Sequence, residues 1–315
     1  MKRYNIVLSV SARDEAFDRM ARELSRCGSV SVCGLDDYEL RGADIFIGKK
    51  LDEKKLATAD RLEAVFAYKT GVDDFPVGAL ANMGVRLFNS HVNSEYIAEY
   101  AFSLGAALTA RVCAFDRAMR NGDWRINDPW WRSIFDMRAG LLGYGGIGRA
   151  IHKILTANGI KAVTLDRGKR YEDIETVRSL DELCARSDIL FVSLPKTAET
   201  DRMIDSRVLG RLRGKYIVNV GRHNCIDERA LFDALESGSL AGAAIDTWRE
   251  KQLDPSVPLK PFDAPFDTLD NVILSSHKAM QVADGHARYV ADTTANVLAY
   301  IDGHPRNEVR LDAGY

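Results

Sequence analysis

The chain has 315 residues, more than one ordinary doubly wound domain needs and enough for two. With 46% apolar and 28% charged residues it has the makings of two buried cores, and its net charge of −2 argues against nucleic acid or an anionic membrane as partner. Five scattered cysteines (Cys27, Cys33, Cys113, Cys184, Cys225) form no CxxC pair, which argues against a disulfide framework and a zinc site and predicts reduced thiols in the cytoplasm.

Met1-Lys2-Arg3 and the run Ile6-Val7-Leu8 superficially resemble a signal peptide, but the run breaks at Ser9 and Ser11 and Arg13-Asp14-Glu15 follows, so it reads as a first strand. Nowhere does an apolar stretch reach the length of a membrane span. Strands are expected over residues 5–10, 30–33, 44–47, 64–67 and 85–88, with helical patterns such as 15–26 between them. That alternation predicts a parallel sheet covered on both faces. From 93 to 121 the apolar spacing predicts one long helix whose only weak point is Gly105. The aromatic stretch 124–131 then reads as an interdomain or interfacial plug.

A second alternation follows, with strands expected over 139–142, 162–165, 189–193, 216–220, 243–245 and 272–275. The number matches a full dinucleotide-binding domain. The helical pattern 285–300 comes too late to serve that sheet and is expected to return to the first domain. Residues 1–92 and 286–315 are thus expected to form a discontinuous domain around an inserted one, 93–285. The irregular stretch 251–267 is the longest loop, of a length often tied to function.

The strongest local signal is Gly143-Tyr144-Gly145-Gly146-Ile147-Gly148, which follows an expected strand and opens a helix. A GxGxxG turn lets the backbone approach a pyrophosphate, whose charge meets the helix N-terminus. The next strand ends at Asp166, 18 residues beyond Gly148. A carboxylate there accepts the adenosine ribose hydroxyls and repels a 2′-phosphate, favouring NAD. Arg167, Lys169 and Arg170 follow, readable either as a solvated basic loop or as tolerance of NADP.

In an open parallel sheet, ligands bind beyond the carboxyl ends of the strands. Those ends here read Leu194-Pro195, Gly221-Arg222, Asp246 and Ser276-His277, bringing an arginine, an aspartate and a histidine toward one crevice. No group of His, Cys and carboxylates has metal-ligand spacing, and there is no Gly-x-Ser-x-Gly elbow. His152, on the helix after the glycine turn, reads as a surface or packing residue.

Taken in order, the segments 71–73, 89–99, 140–149, 187–200, 217–228, 241–248 and 271–277 resemble the D-isomer-specific 2-hydroxyacid dehydrogenases, the group that includes phosphoglycerate and glyoxylate/hydroxypyruvate reductases. The resemblance implies a Rossmann NAD-binding domain inserted in a discontinuous flavodoxin-like substrate domain, a homodimer joined through the Rossmann domains, and hydride transfer between a 2-hydroxy acid and its 2-oxo acid. The implied cofactor contacts are the 143–148 turn, Asp166, Arg167, Leu194, Pro195, Thr200, Val220, Gly221 and Asp246. Arg222 is implied to grip the substrate carboxylate and His277 to serve as acid and base. The amides of Gly71 and Val72 would complete the carboxylate cradle. Lys69 reads as an added positive charge or as a solvated strand-end lysine.

The sequence departs from the family at a third catalytic position. Five residues after Asp246 of Asp246-Thr247-Trp248, where the family has a glutamate, stands Lys251. Lys278 adds a second cation beside His277. Three readings stay open: Glu250, Asp254 or Asp263 takes over; the substrate carries extra negative charge that Lys69, Lys251 and Lys278 neutralise; or the chain is a catalytically silent NAD(H)-binding regulator.

Overall fold

Each short apolar run of the first ninety residues is a parallel strand in the computed structural model of the chain, which describes residues 2–124, 130–166, 168, 171–249 and 260–311. The strands are β1 (Tyr4–Val10), β2 (Gly28–Gly34), β3 (Ile45–Gly48), β4 (Ala64–Ala67) and β5 (Arg86–Phe88), with helices α1 (Glu15–Leu24), α2 (Glu53–Leu56) and α3 (Val77–Met83) between them. They align in the order β2-β1-β3-β4-β5, a flavodoxin-like sheet. Strands β3 and β4 are buried along their whole length, as central parallel strands covered on both faces must be. Asp14 fixes the start of α1 by accepting the Phe17 N–H at 3.0 Å, and Phe17, Met20 and Leu24 form its buried stripe.

The chain divides into two units, Met1–Asn93 with Ala283–Tyr315, and Ser94–Val282. The second unit opens with α4 (Ser94–Thr109) and α5 (Val112–Arg120) in place of the single long helix expected. The break falls at Arg111, which adopts a left-handed φ of 56°, and not at Gly105. Gly105 is a packing residue: a Cβ there would lie 3.1 Å from the Phe191 ring and 3.2 Å from Ile189 Cδ1. Apolar spacing continues through a one-residue reversal, so periodicity alone cannot reveal it.

The Rossmann alternation then runs through β6 (Ala139–Leu142), α6 (Gly146–Ala157), β7 (Ala162–Leu165), β8 (Glu175–Val177), α7 (Leu180–Ala185), β9 (Ile189–Val192), α8 (Ser206–Arg211), β10 (Tyr216–Asn219), α9 (Glu228–Glu236), β11 (Gly242–Ile245) and β12 (Val272–Leu274). Seven parallel strands lie in the order β12-β11-β10-β9-β6-β7-β8, one more than the sequence reading expected. The extra strand, β8, is three residues long and sits at the sheet edge, too short to show alternation. One face carries α4 and α6, the other α7, α8 and α9. The order reverses between β6 and β9, so the crevice for ligands opens at their carboxyl ends. Helix α10 (Gly285–Ile301) closes the first unit, burying Val290 and Val297 in the same core as Phe17 and Met20 of α1.

Candidate active site

The glycines after β6 differ in what they do. Gly143 has φ 107°, which only glycine adopts without strain, and a Cβ on it would crowd the Ser193 carbonyl oxygen at 3.0 Å. Gly148 brings α6 against the strand end so closely that a Cβ would lie 2.1 Å from the Gly143 oxygen. Gly145 faces open space, with nothing within 4 Å of a Cβ. It is the N-cap of α6, and no side chain caps the helix or places an acid in its first turn. The free amide end beside Gly145 and Gly146, with Ile147 behind it, therefore faces an open cradle suited to an anion.

At the end of β7, Asp166 donates its N–H to Val177 O at 2.8 Å, and its Oδ1 accepts the Gly168 N–H at 2.8 Å. Arg167, Lys169 and Arg170 lie outside the described residues. Tyr144, buried within the glycine turn, has its hydroxyl 2.7 Å from His152 Nδ1 and donates to Asp173 Oδ2 at 2.8 Å. After β9, Leu194 is buried, and the Thr200 hydroxyl donates to Pro195 O at 2.7 Å while accepting the Thr197 N–H. Thr200 thus braces the 195–200 turn from within it.

Two strand ends carry the candidate catalytic residues. Val220 is buried beyond β10, and Gly221 packs on the β9 loop, where a Cβ would lie 2.7 Å from Leu194 N and O. Buried Asn219 spans this turn with both ends of its amide: Oδ1 accepts the Gly221 N–H at 3.0 Å and Nδ2 donates to Arg222 O at 3.1 Å. Half-buried Arg222 donates from Nη1 to Gly221 O at 3.1 Å. Beyond β12, His277 takes a left-handed φ of 57°, a conformation costing about 1–3 kcal/mol that the surroundings must impose.

Asp246 imposes it. Its carboxylate, 1% exposed, accepts the Lys278 N–H at 2.9 Å, the Ala279 N–H at 3.2 Å and the Ser275 hydroxyl, and its carbonyl accepts the His277 N–H at 2.9 Å. The carboxylate can only accept, so the Ser275 proton points to it and the Tyr100 hydroxyl, 2.9 Å away, donates to Ser275 Oγ. The Trp248 indole donates to Ser275 O at 2.9 Å and packs on Phe262 and Phe266. Residues from β11, α4 and the aromatic cluster together hold the turn that presents the imidazole. Asn219 and Ser275 were missed as positioning residues; a buried polar residue at a strand end is the signal that marks them.

Among the alternatives for the third catalytic position, Glu250, Lys251 and Asp254 lie outside the described residues. Asp263 pairs with Arg249 at 3.1 Å, and Lys278 donates to Gln281 Oε1 at 2.6 Å. In the smaller unit, Lys69 is ion-paired with Asp74, and its carbonyl accepts the Ser90 N–H at 3.1 Å. The Thr70–Val72 segment is braced by the Asn89 side chain, which donates to Thr70 O at 2.8 Å, and by the Phe75 N–H, which donates to Val72 O at 3.0 Å. Gly71 lies within it. Among the described residues, no group of three or more His, Cys, Asp or Glu is placed to hold a metal, and no helix is long and apolar enough to cross a membrane.

Comparisons with known proteins agree with this architecture. Residues 102–279 match the family described as D-isomer specific 2-hydroxyacid dehydrogenase, NAD binding domain. A glyoxylate reductase of Aeropyrum pernix is 31% identical over 267 residues, covering 81% of this chain and 78% of its own. Two solved structures share the fold. A D-lactate dehydrogenase of Aquifex aeolicus complexed with NAD and lactic acid has a TM-score of 0.78 at 22% identity, over 95% of this chain and 96% of that one. A glyoxylate/hydroxypyruvate reductase of Sinorhizobium meliloti in complex with NADP and malonate has a TM-score of 0.79 at 24% identity, over 99% of this chain and 98% of that one. With more than half of its length matched by the family and a relative of this identity aligned along most of it, the chain belongs to the D-isomer specific 2-hydroxyacid dehydrogenase family.

Proposed function

We propose that the protein is an NAD-dependent oxidoreductase that interconverts a 2-hydroxy acid and its 2-oxo acid, with Arg222 and His277 as its catalytic pair. The observation that carries this reading is that both residues stand at strand ends of one sheet, each fastened by a buried polar side chain, Asn219 for the Arg222 turn and Asp246 for the His277 turn. A chain that needed only a packed core would have no use for a left-handed histidine held by a buried carboxylate.

A dinucleotide fits the residues present: the open cradle at Gly145, the uncapped amide end of α6 and Asp166 at the end of the next strand suit its diphosphate and ribose. When bound, the nicotinamide supplies or accepts the hydride. Arg222 holds the substrate carboxylate through its planar fork of donors. The protonated imidazole of His277 gives its proton to the carbonyl oxygen during reduction and, neutral, takes it back during oxidation. The carboxylate of Asp166 favours NAD over NADP. Steady-state assay of a panel of 2-oxo acids with NADH is expected to give turnover of at least one member. Binding of NADH with no turnover of any would instead support the silent NAD(H)-binding regulator.

We further propose a homodimer. Trp124, Trp130 and Phe135 of the larger unit are 74%, 95% and 61% exposed, and aromatic side chains are enriched where proteins make contact. Sedimentation equilibrium at ~10 µM is expected to give twice the 35.0 kDa chain mass; a monomer at that concentration would remove the dimer.

A further inference from the structure

Residues 171–174 lead into β8, which lies at the edge of the sheet and, among the described residues, pairs with β7 alone. That ladder ends at Asp166, where the adenosine ribose is proposed to bind and whose N–H donates to Val177 O at 2.8 Å. Tyr171 and Asp173 are held by side chains on the glycine turn and α6. The Tyr171 ring meets the Tyr144 ring edge-on at 4.6 Å, and the Arg149 guanidinium lies 4.9 Å from one ring centroid and 5.2 Å from the other. Asp173 Oδ2 accepts the Tyr144 hydroxyl at 2.8 Å.

The protons in this group can be assigned. A carboxylate only accepts, so the phenol proton belongs to the bond with Asp173. The phenol oxygen is then an acceptor toward His152, whose Nδ1 at 2.7 Å must carry the hydrogen. Burial, reinforced by Asp173, holds the Tyr144 phenol well above its ordinary range, and the bond from Tyr144 holds the Asp173 carboxyl low. Both shifts keep the phenol protonated and the carboxylate charged, the states the arrangement requires.

We propose that Tyr144, His152 and Asp173 form a latch between the diphosphate-binding turn and residues 171–174, which lead into β8, whose Val177 carbonyl accepts the Asp166 N–H, making Asp173 and His152 positioning residues for the adenosine half of the dinucleotide. The inference rests on the proposed dinucleotide site. Tyr144 suits the task because its backbone belongs to the glycine turn while its hydroxyl reaches Asp173. A latch of this kind steadies the adenosine side without touching the reacting carbons, so its loss should weaken binding and leave the chemical step alone.

The test is calorimetric titration of the full chain with NADH and with ADP-ribose, on wild type, Asp173→Ala, Asp173→Asn and Tyr144→Phe. Asp173→Ala and Tyr144→Phe are expected to weaken both ligands about tenfold, the loss of one charge-assisted hydrogen bond. Asp173→Asn keeps an acceptor oxygen and should recover to within about threefold of wild type. For Asp173→Ala, kcat at saturating NADH should stay within about twofold while the KM for NADH rises, a split that general loss of structure would not produce. The latch is overturned if wild type binds NADH and both disrupting variants match its affinity, or if kcat falls with affinity and Asp173→Asn recovers nothing. Absence of NADH binding to wild type would bring down the dinucleotide site and the latch with it.

Discussion

Replacement of Arg222 by alanine is expected to lower kcat/KM for the best 2-oxo acid by about 10³-fold, while NADH affinity stays within a few-fold of wild type. A carboxylate held by two charge-assisted hydrogen bonds loses roughly 3–6 kcal/mol when both donors vanish, and each 1.4 kcal/mol is a factor of ten. The backbone need not change, because Asn219 fixes the turn through the Gly221 N–H and the Arg222 carbonyl, neither of which the substitution removes. Arg222→Lys should recover little of the loss, since a point charge on a flexible stem cannot make the paired contact. Steady-state kinetics on the three proteins, with NADH titrations in parallel, provide the check. A mutant with wild-type turnover would remove the substrate anchor.

The glycine turn yields the second large effect, as a contrast between two substitutions of the same size. In Gly148→Ala the added Cβ would lie 2.1 Å from the Gly143 carbonyl oxygen, a clash of backbone with backbone that no side-chain rotation relieves. Helix α6 must move off the strand end, at a cost of about 1–3 kcal/mol or more in stability. In Gly145→Ala the methyl meets nothing within 4 Å. The fold should be untouched, and the methyl projects into the cradle where the diphosphate is proposed to rest. Thermal unfolding should therefore show a lowered midpoint for Gly148→Ala alone, whereas NADH affinity should fall at least ~100-fold in both, given the energy of close charge-assisted contacts at a helix end. Unchanged NADH affinity in Gly145→Ala would place the dinucleotide elsewhere.

Much of this arrangement was legible in the sequence because it rests on local signals. Buried parallel strands are short apolar runs, and a glycine turn between strand and helix states its own geometry, so the 143–148 turn and the ends at Asp166, Arg222 and His277 could be found by counting along the chain. What stayed hidden depends on partners distant in sequence. Asp246 reads as an acid at a strand end and an implied cofactor contact, and nothing local shows that its carboxylate is spent on the turn at Ser275–Ala279, some thirty residues on. Asn219 looks like the polar end of a strand until both ends of its amide are seen to span the Arg222 turn. His152 was read as a surface or packing residue, and only the fold brings it and Asp173 to the Tyr144 hydroxyl. Lys69, left open between a substrate contact and a solvated lysine, is ion-paired with Asp74. The reversal at Arg111 left no mark at all, because a single residue changed hand within an unbroken apolar pattern.

Calorimetric titration of the purified full chain with NADH, and separately with NADPH, tests the central claim most directly. Saturable binding of NADH is expected, tighter than that of NADPH because a carboxylate at the proposed ribose position, Asp166, would repel the added phosphate. No heat of binding from either dinucleotide at millimolar concentration would contradict the account.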